Sequence, residues 1–394
     1  MSRYLFVVPP LVGHINPLVG VAAELTSRGH RVAWCGVPQL VHRLVGDRTE
    51  VFPCPASWDD GTRPVRPAEI RGPEALRFLW EHFLVPLAEE MADGVHTAMA
   101  AFRPDVVVAD QQALAGGLVA ERLGVPWATS ASTSAEFADV LASMPKVAAW
   151  NETLLRGLRQ RIGDPGGTAD PRFSPHLVLA FTTEELAGPP ARATVRTRWV
   201  GPSVADRPSP TGFPWDRLDP DRATVLVTLG TANTDVGARF LSECSRALRA
   251  RADRVQAVVV DPENVLSGHP DDKDVLAVPV VPQLALLQQT DAVVCHGGHN
   301  TVCEALWHGV PLVVAPIRDD QPVIAAQVAE AGAGVRVRFG RATADRIGAA
   351  VDAVLHAPEY RAAARAIGSA FRSAGGAAAA AVHLEHLADE EDSA

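Results

Sequence analysis

Val293-Val-Cys-His-Gly-Gly-His-Asn-Thr-Val-Cys-Glu-Ala-Leu306 is the stretch on which the fold turns. An apolar run of strand character stops at Cys295, His296 and two glycines turn the chain, and a helical pattern starts near Asn300. Strand, glycine turn and helix in that order form half of a βαβ unit, with the turn at the carboxyl edge of a parallel sheet. Glycines there let backbone approach a ligand closely. The helix N-terminus adds unpaired N–H groups and a partial positive charge, which together make an anion site. A plainer reading fits the same residues, because Thr301-x-x-Glu304 matches a capping box that needs no ligand. Spacing alone leaves the two level.

Working outward, the same layout occurs twice. In the first half an apolar run over 4–8 leads into the loop Pro9-Pro-Leu-Val-Gly-His-Ile-Asn16, a helix from Pro17 to Gly29, and a second run over 31–35. In the second half a run over 224–228 precedes the loop Gly230-Thr-Ala-Asn-Thr234, a helix ending near Ala250, and a run over 255–260. Further strands are expected at 105–109, 126–129, 292–295, 312–315 and 335–337, with helices such as 115–123 and 322–331 between them. The Pro/Gly-rich segment 201–214 continues neither helix nor strand.

The expected architecture is α/β: two doubly wound, Rossmann-like domains facing across a cleft. The expected divisions are a first domain over 1–205, a linker over 206–222, a second domain over 223–376, and a C-terminal helix with an acidic, frayed tail over 377–394. Length agrees, since 394 residues exceed the roughly 250–300 at which a single core stops growing.

Composition excludes several function classes. With 47% hydrophobic and 21% charged residues the chain is neither disordered nor fibrous. A formal net charge of −10 argues against a broad nucleic-acid surface and leaves room for a local cationic site. Five scattered cysteines with no C-x-x-C pair build no disulfide framework or zinc site. No run approaches the roughly 20 apolar residues of a membrane span, and Pro9 and Pro10 break the first apolar run too early for a signal peptide. A reduced, cytoplasmic enzyme is expected.

His14 follows the first expected strand and Asp110 follows the one at 105–109. Residues after strand ends share one sheet edge, so the two can meet. A carboxylate on one imidazole nitrogen leaves the other as a base and stabilises the imidazolium. A helix-entry histidine and a loop-capping aspartate explain the same spacing. His296 and His299 lack the carboxylate or further histidine that would complete a metal shell. G-x-S-x-G, Walker A and G-x-G-x-x-G motifs are absent.

These residues carry a resemblance that spans almost the whole chain. The early Gly13-His-x-Asn-Pro17, Asp110, and the block from Val281-Pro-Gln283 through His296-Gly-Gly-His-Asn-Thr301, Glu304 and Gly309-Val-Pro311 to Asp320-Gln321 are similar to family-1 inverting glycosyltransferases of GT-B fold, in the bacterial natural-product (macrolide and carotenoid-type) branch.

The resemblance implies that His14 is the general base for the acceptor hydroxyl and that Asp110 is its charge partner. It implies that His296, Asn300 and Thr301 hold the donor diphosphate, with Gly298 giving close backbone approach and Thr231 near the phosphates. Glu304 would bind the ribose, Gln283 would lie beside the base, and Asp320 with Gln321 would bond the sugar hydroxyls. No metal and no cofactor is implied; a UDP- or TDP-sugar is the co-substrate. One departure stands out, because Val280 occupies the position where the family has an aromatic platform for the base.

The reaction implied is inverting transfer of a hexose from a UDP-sugar, UDP-glucose first, to a hydroxyl of an apolar natural-product aglycone. A TDP-deoxysugar donor or an N- or C-linked product is the nearer alternative. A non-catalytic nucleotide-sugar-binding partner protein is the alternative from another class. Neither nucleic acid nor membrane is an expected partner, and the chain is expected to be a monomer or a homodimer. Six of the eight tryptophans (Trp34, Trp58, Trp80, Trp127, Trp150, Trp199) lie in the first half, which would bind acceptor. The stripe Leu76, Leu79, Trp80, Phe83, Leu84, Leu87 reads as core or as acceptor lining, and the loop over 57–73 as a cleft cover or a plain surface loop.

Overall fold

In the computed structural model the described residues are 1–54, 67, 70, 72–138, 141–191, 196–204, 211–230, 236–266 and 273–391. The near-continuous apolar runs become strands of two all-parallel sheets, as burial on both faces requires. One sheet contains β1 (Arg3–Val7), β2 (Arg31–Gly36), β3 (Glu50–Pro53), β4 (Val106–Asp110), β5 (Trp127–Ala131), β6 (Leu177–Ala180) and β7 (Thr197–Trp199). Their order is β3-β2-β1-β4-β5-β6-β7. The other contains β8 (Ala223–Thr228), β9 (Val255–Val260), β10 (Val275–Val278), β11 (Ala292–Cys295), β12 (Leu312–Val314) and β13 (Gly334–Arg336), in the order β10-β9-β8-β11-β12-β13. Each order reverses once, between β1 and β4 and between β8 and β11. Such switch points are where open α/β sheets bind ligands, beyond the carboxyl ends of the strands.

The chain divides into two compact units. The first comprises Met1–Thr183, Pro190–Pro208 and Ala374–Ala394, and the second Glu184–Pro189 and Ser209–Ser373. In the first unit, helix Val12–Ser27 and the C-terminal helix Gly376–Glu391 cover one sheet face. There Ile15, Leu18 and Leu25 pack with Leu384, Tyr4, Phe6 and Val108. Each such side chain contributes about 1.5–3 kcal/mol on burial. Glu385 ties the C-terminal helix down, 3.0 Å from Arg28 and 2.9 Å from His30.

Helices Val85–Phe102 and Leu114–Leu123 cover the other face, with Leu87, Met91 and Val119 packed in one cluster with Trp127 of β5. A Cβ at Gly117 would fall 2.6 Å from the Trp127 ring, so that glycine sets the helix-to-sheet distance. The second unit packs Phe240, Leu248, Val294, Val313 and Ile347 around its own sheet.

Three local readings change. Helix Val12–Ser27 starts five residues before Pro17, which sits inside it, so His14 belongs to the first helical turn rather than to a loop. Pro17 lacks only the N–H that would reach back towards Gly13, close to a helix end whose groups are in any case not all paired within the helix. Of the stripe from Leu76 to Leu87, Trp80, Leu84 and Leu87 are buried, while Leu76, Leu79 and Phe83 are half-buried. Trp80 and Leu84 pack with Leu114, Leu118, Leu155 and Leu158, and a π-helical turn over Leu79–Leu84 joins two helices. Trp34, Trp80 and Trp127 are likewise buried, while Trp58 and most of the 57–73 loop lie outside the described residues. The acidic end of the chain continues as helix to Glu391. Among the described residues no helix is long and apolar enough to cross a membrane.

Candidate functional site

In the first unit the decisive residues gather at the β1/β4 switch point. Asp110 ends β4 and is buried, aligned with Ser130 of β5. His14 follows β1 in the first turn of its helix, and its Nδ1 lies 2.8 Å from Asp110 Oδ1. The backbone N–H of Gln112 also donates to Oδ1, at 2.9 Å. Ser132, just past β5, donates its hydroxyl to Asp110 Oδ2 at 2.7 Å, and its oxygen lies 2.8 Å from His14 Nδ1. Both carboxylate oxygens therefore have donors, as a buried carboxylate requires. The His14 side chain keeps 16% of its exposure and Asp110 keeps none, so only the histidine can meet a substrate. Holding Nδ1–H against a carboxylate puts the ring lone pair on Nε2.

Spacing pointed to His14 and Asp110. It gave no sign of Ser132, one hydroxyl in the run Thr129-Ser-Ala-Ser-Thr-Ser134.

In the second unit the switch point lies between β8 and β11, and His296 follows β11. Gly297 takes φ +88, a left-handed turn that favours glycine, and a Cβ there would meet Val314 at 2.9 Å. Helix His299–Trp307 begins with Gly298 as its N-cap, without a side-chain capping bond. The capping-box reading of Thr301 and Glu304 thereby falls, since Thr301 is the third helical residue rather than the cap. Gly298 has no side chain with which to cap this helix, and a glycine turn leading into a helix N-terminus is the setting in which an anion binds.

His296 is buried against this turn. Cβ atoms at Gly230 and Gly298 would come within 2.7 and 2.8 Å of its Cε1. Burial brings its pKa down to about 4, with the positive Arg318 acting the same way and a backbone hydrogen bond with Thr228 opposing. It is a neutral imidazole at pH 7. Its Nδ1 is buried and meets no hydrogen-bond partner among the described residues.

The remaining predicted residues lie as follows. Gln283 Nε2 donates to Glu304 Oε2 at 2.6 Å, joining the residues expected beside base and ribose. Asn300 and Thr301 lie in the first turn of helix His299–Trp307. Asp320 is the N-cap of helix Gln321–Glu330, and Gln321 Oε1 accepts from the backbone N–H groups of Ile317 and Arg318 at 2.9 and 3.1 Å. Thr231 lies outside the described residues. His299 turns away from His296, its Nε2 3.4 Å from Cys303 Sγ, and no cluster of three or more His, Cys, Asp or Glu among the described residues could hold a metal ion.

The chain is 32% identical to 4'-demethylrebeccamycin synthase of Lentzea aerocolonigenes, an alignment covering 91% of this chain and 93% of the relative. It belongs to the bacterial natural-product branch of the family-1 glycosyltransferases. Residues 248–385 of this glycosyltransferase match the family described as erythromycin biosynthesis protein CIII-like, C-terminal domain. NDP-glycosyltransferase YjiC of Bacillus subtilis (strain 168) is 28% identical over 95% of both chains. The crystal structure of CalG4, the calicheamicin glycosyltransferase, superposes with a TM-score of 0.79 at 24% identity over 98% of each chain. That likeness extends the GT-B fold to this glycosyltransferase, a nucleotide-sugar-dependent enzyme.

Proposed function

We propose that this glycosyltransferase moves glucose from UDP-glucose to a hydroxyl of an apolar natural-product aglycone, with inversion at the anomeric carbon. The observation that carries the reading is the contact of His14 Nδ1 with a buried, fully bonded Asp110. Nε2 takes the acceptor proton as the hydroxyl attacks, and Asp110 stabilises the imidazolium. An α-linked donor gives a β-glycoside. The diphosphate leaves towards the N-terminus of helix His299–Trp307 and neutral His296, and the helix N–H dipoles stabilise the developing charge. Asn300 and Thr301 assist there, as does Thr231.

Gln283 and Glu304 hold base and ribose. With its oxygen taken by two backbone N–H groups, Gln321 offers its NH₂ to a sugar oxygen, and Asp320 accepts from hydroxyls. A fully hydroxylated hexose meets both demands, whereas a deoxysugar leaves one unmet.

One observation favours a second donor reading. Val280 is 54% exposed where an aromatic platform is usual, so this position supplies no stacking to select the base and a TDP-sugar competes. A donor-by-acceptor panel with mass detection, followed by anomeric proton couplings, decides the donor and the stereochemistry. His14→Ala is expected to abolish transfer and to leave UDP affinity within about threefold, as a group outside the donor site should. Wild-type turnover in that variant removes the base assignment.

A further inference from the structure

We infer that Ser132 is a positioning residue that fixes the tautomer and orientation of His14 through Asp110; the inference rests on the general-base reading above. Its single hydroxyl proton is committed to Asp110 Oδ2 at 2.7 Å. The Ser132 oxygen can then only accept, and it lies 2.8 Å from His14 Nδ1, the same distance as Asp110 Oδ1. Nδ1 faces two acceptors and must carry the proton. A proton on Nε2 instead would aim the Nδ1 lone pair at both oxygens.

Gln112 N–H holds Oδ1 from the side of β4, and Ser132 holds Oδ2 from the side of β5. The carboxylate is clamped at both ends, and the imidazole inherits its angle. Removing the Ser132 hydroxyl strips one oxygen of its donor on a fully buried carboxylate. The carboxylate can then turn, which loosens its hold on Nδ1–H and its stabilisation of the imidazolium.

The test uses the full-length enzyme with ¹⁵N-labelled histidine, and the His14 resonances are assigned by their loss in His14→Ala. In the wild type, His14 should show the pattern of a single Nδ1–H tautomer. In Ser132→Ala both tautomers should appear, and the titration of His14 should move down by about half a pH unit or more. With UDP-glucose and 2-naphthol, kcat should fall about tenfold with the donor KM within twofold, as expected when a transition-state contact alone is degraded. Ser132→Cys, which keeps the side-chain size with a weaker donor, should lie between the two and replaces Ser132→Ala if that variant does not fold. A single Nδ1–H tautomer with an unmoved titration in Ser132→Ala overturns the inference, whatever happens to turnover. Wild-type turnover in His14→Ala sinks the base reading instead, and the tautomer measurement still decides what Ser132 does.

Discussion

Gly298→Ala probes the proposed donor half-site most directly. The backbone at Gly298 has φ −64 and ψ 133, ordinary values for alanine, so no backbone strain arises. The new Cβ would come within 2.8 Å of His296 Cε1 and closer still to Nε2, against the 3.4 Å where ordinary contact begins. The ring must retreat by more than half an ångström, and it is buried with only 7% of its surface exposed. Overpacking of this kind destabilises by about 1–3 kcal/mol. A phosphate-binding group displaced by up to about 1 Å loses on the order of 10–100-fold in rate.

The expected result is a drop of 10–100-fold in kcat/KM for the donor, a weaker UDP affinity by calorimetry, and a melting temperature lowered by a few degrees, all within the ranges given. Placing the alanine in a His296→Ala background completes a double-mutant cycle. With the ring gone the clash is gone, so the second substitution should add almost nothing. Wild-type kcat/KM in Gly298→Ala would refute the reasoning, and so would full additivity in the cycle.

Three further outcomes follow from the same geometry. His296 has a folded-state pKa of about 4 against an ordinary 6.5, so between those values the unfolded chain binds more protons. Stability is therefore complete above pH 6.5 and is lost as pH falls towards 4; denaturant unfolding should show about 2 kcal/mol of that loss by pH 5, absent in His296→Gln. Val280→Trp should tighten UDP binding by roughly 1–3 kcal/mol in calorimetry, and no gain would show that the base does not lie over this position. Transfer should persist in EDTA; complete loss restored by Mg²⁺ would show that the helix terminus does not hold the diphosphate unaided.

The architecture was legible at most strands whose burial on both faces wrote an apolar run into the sequence, although the buried interior strand Leu177–Ala180 and the edge strand Val275–Val278 were not read. β1, β4, β8 and β11 were readable within a residue or two, and these strands border both switch points. Glu50–Pro53 and Thr197–Trp199 were not read, because short edge strands are buried less and carry charged residues. Pro17 misplaced a helix start, since proline is easiest to accommodate in a first turn and only the tertiary setting shows it further in. His14 and Asp110 stood out by position after strands. Ser132 did not, because its meaning depends on the register that sets Asp110 beside Ser130. The Gln283–Glu304 bond spans 21 residues and two helices, so no local pattern could announce it.

The helix Gly376–Glu391 has a consequence for how the protein comes into being. Leu384, Leu387 and Ala388 lie in the same apolar cluster as Ile15 and Leu18, so the face under helix Val12–Ser27 is closed only by residues that follow the whole second unit along the chain. During vectorial synthesis the leading Rossmann unit waits, one face bare, while the trailing unit can finish without it. Severed at the Gly375–Gly376 turn, the chain would leave its opening half sticky rather than independent.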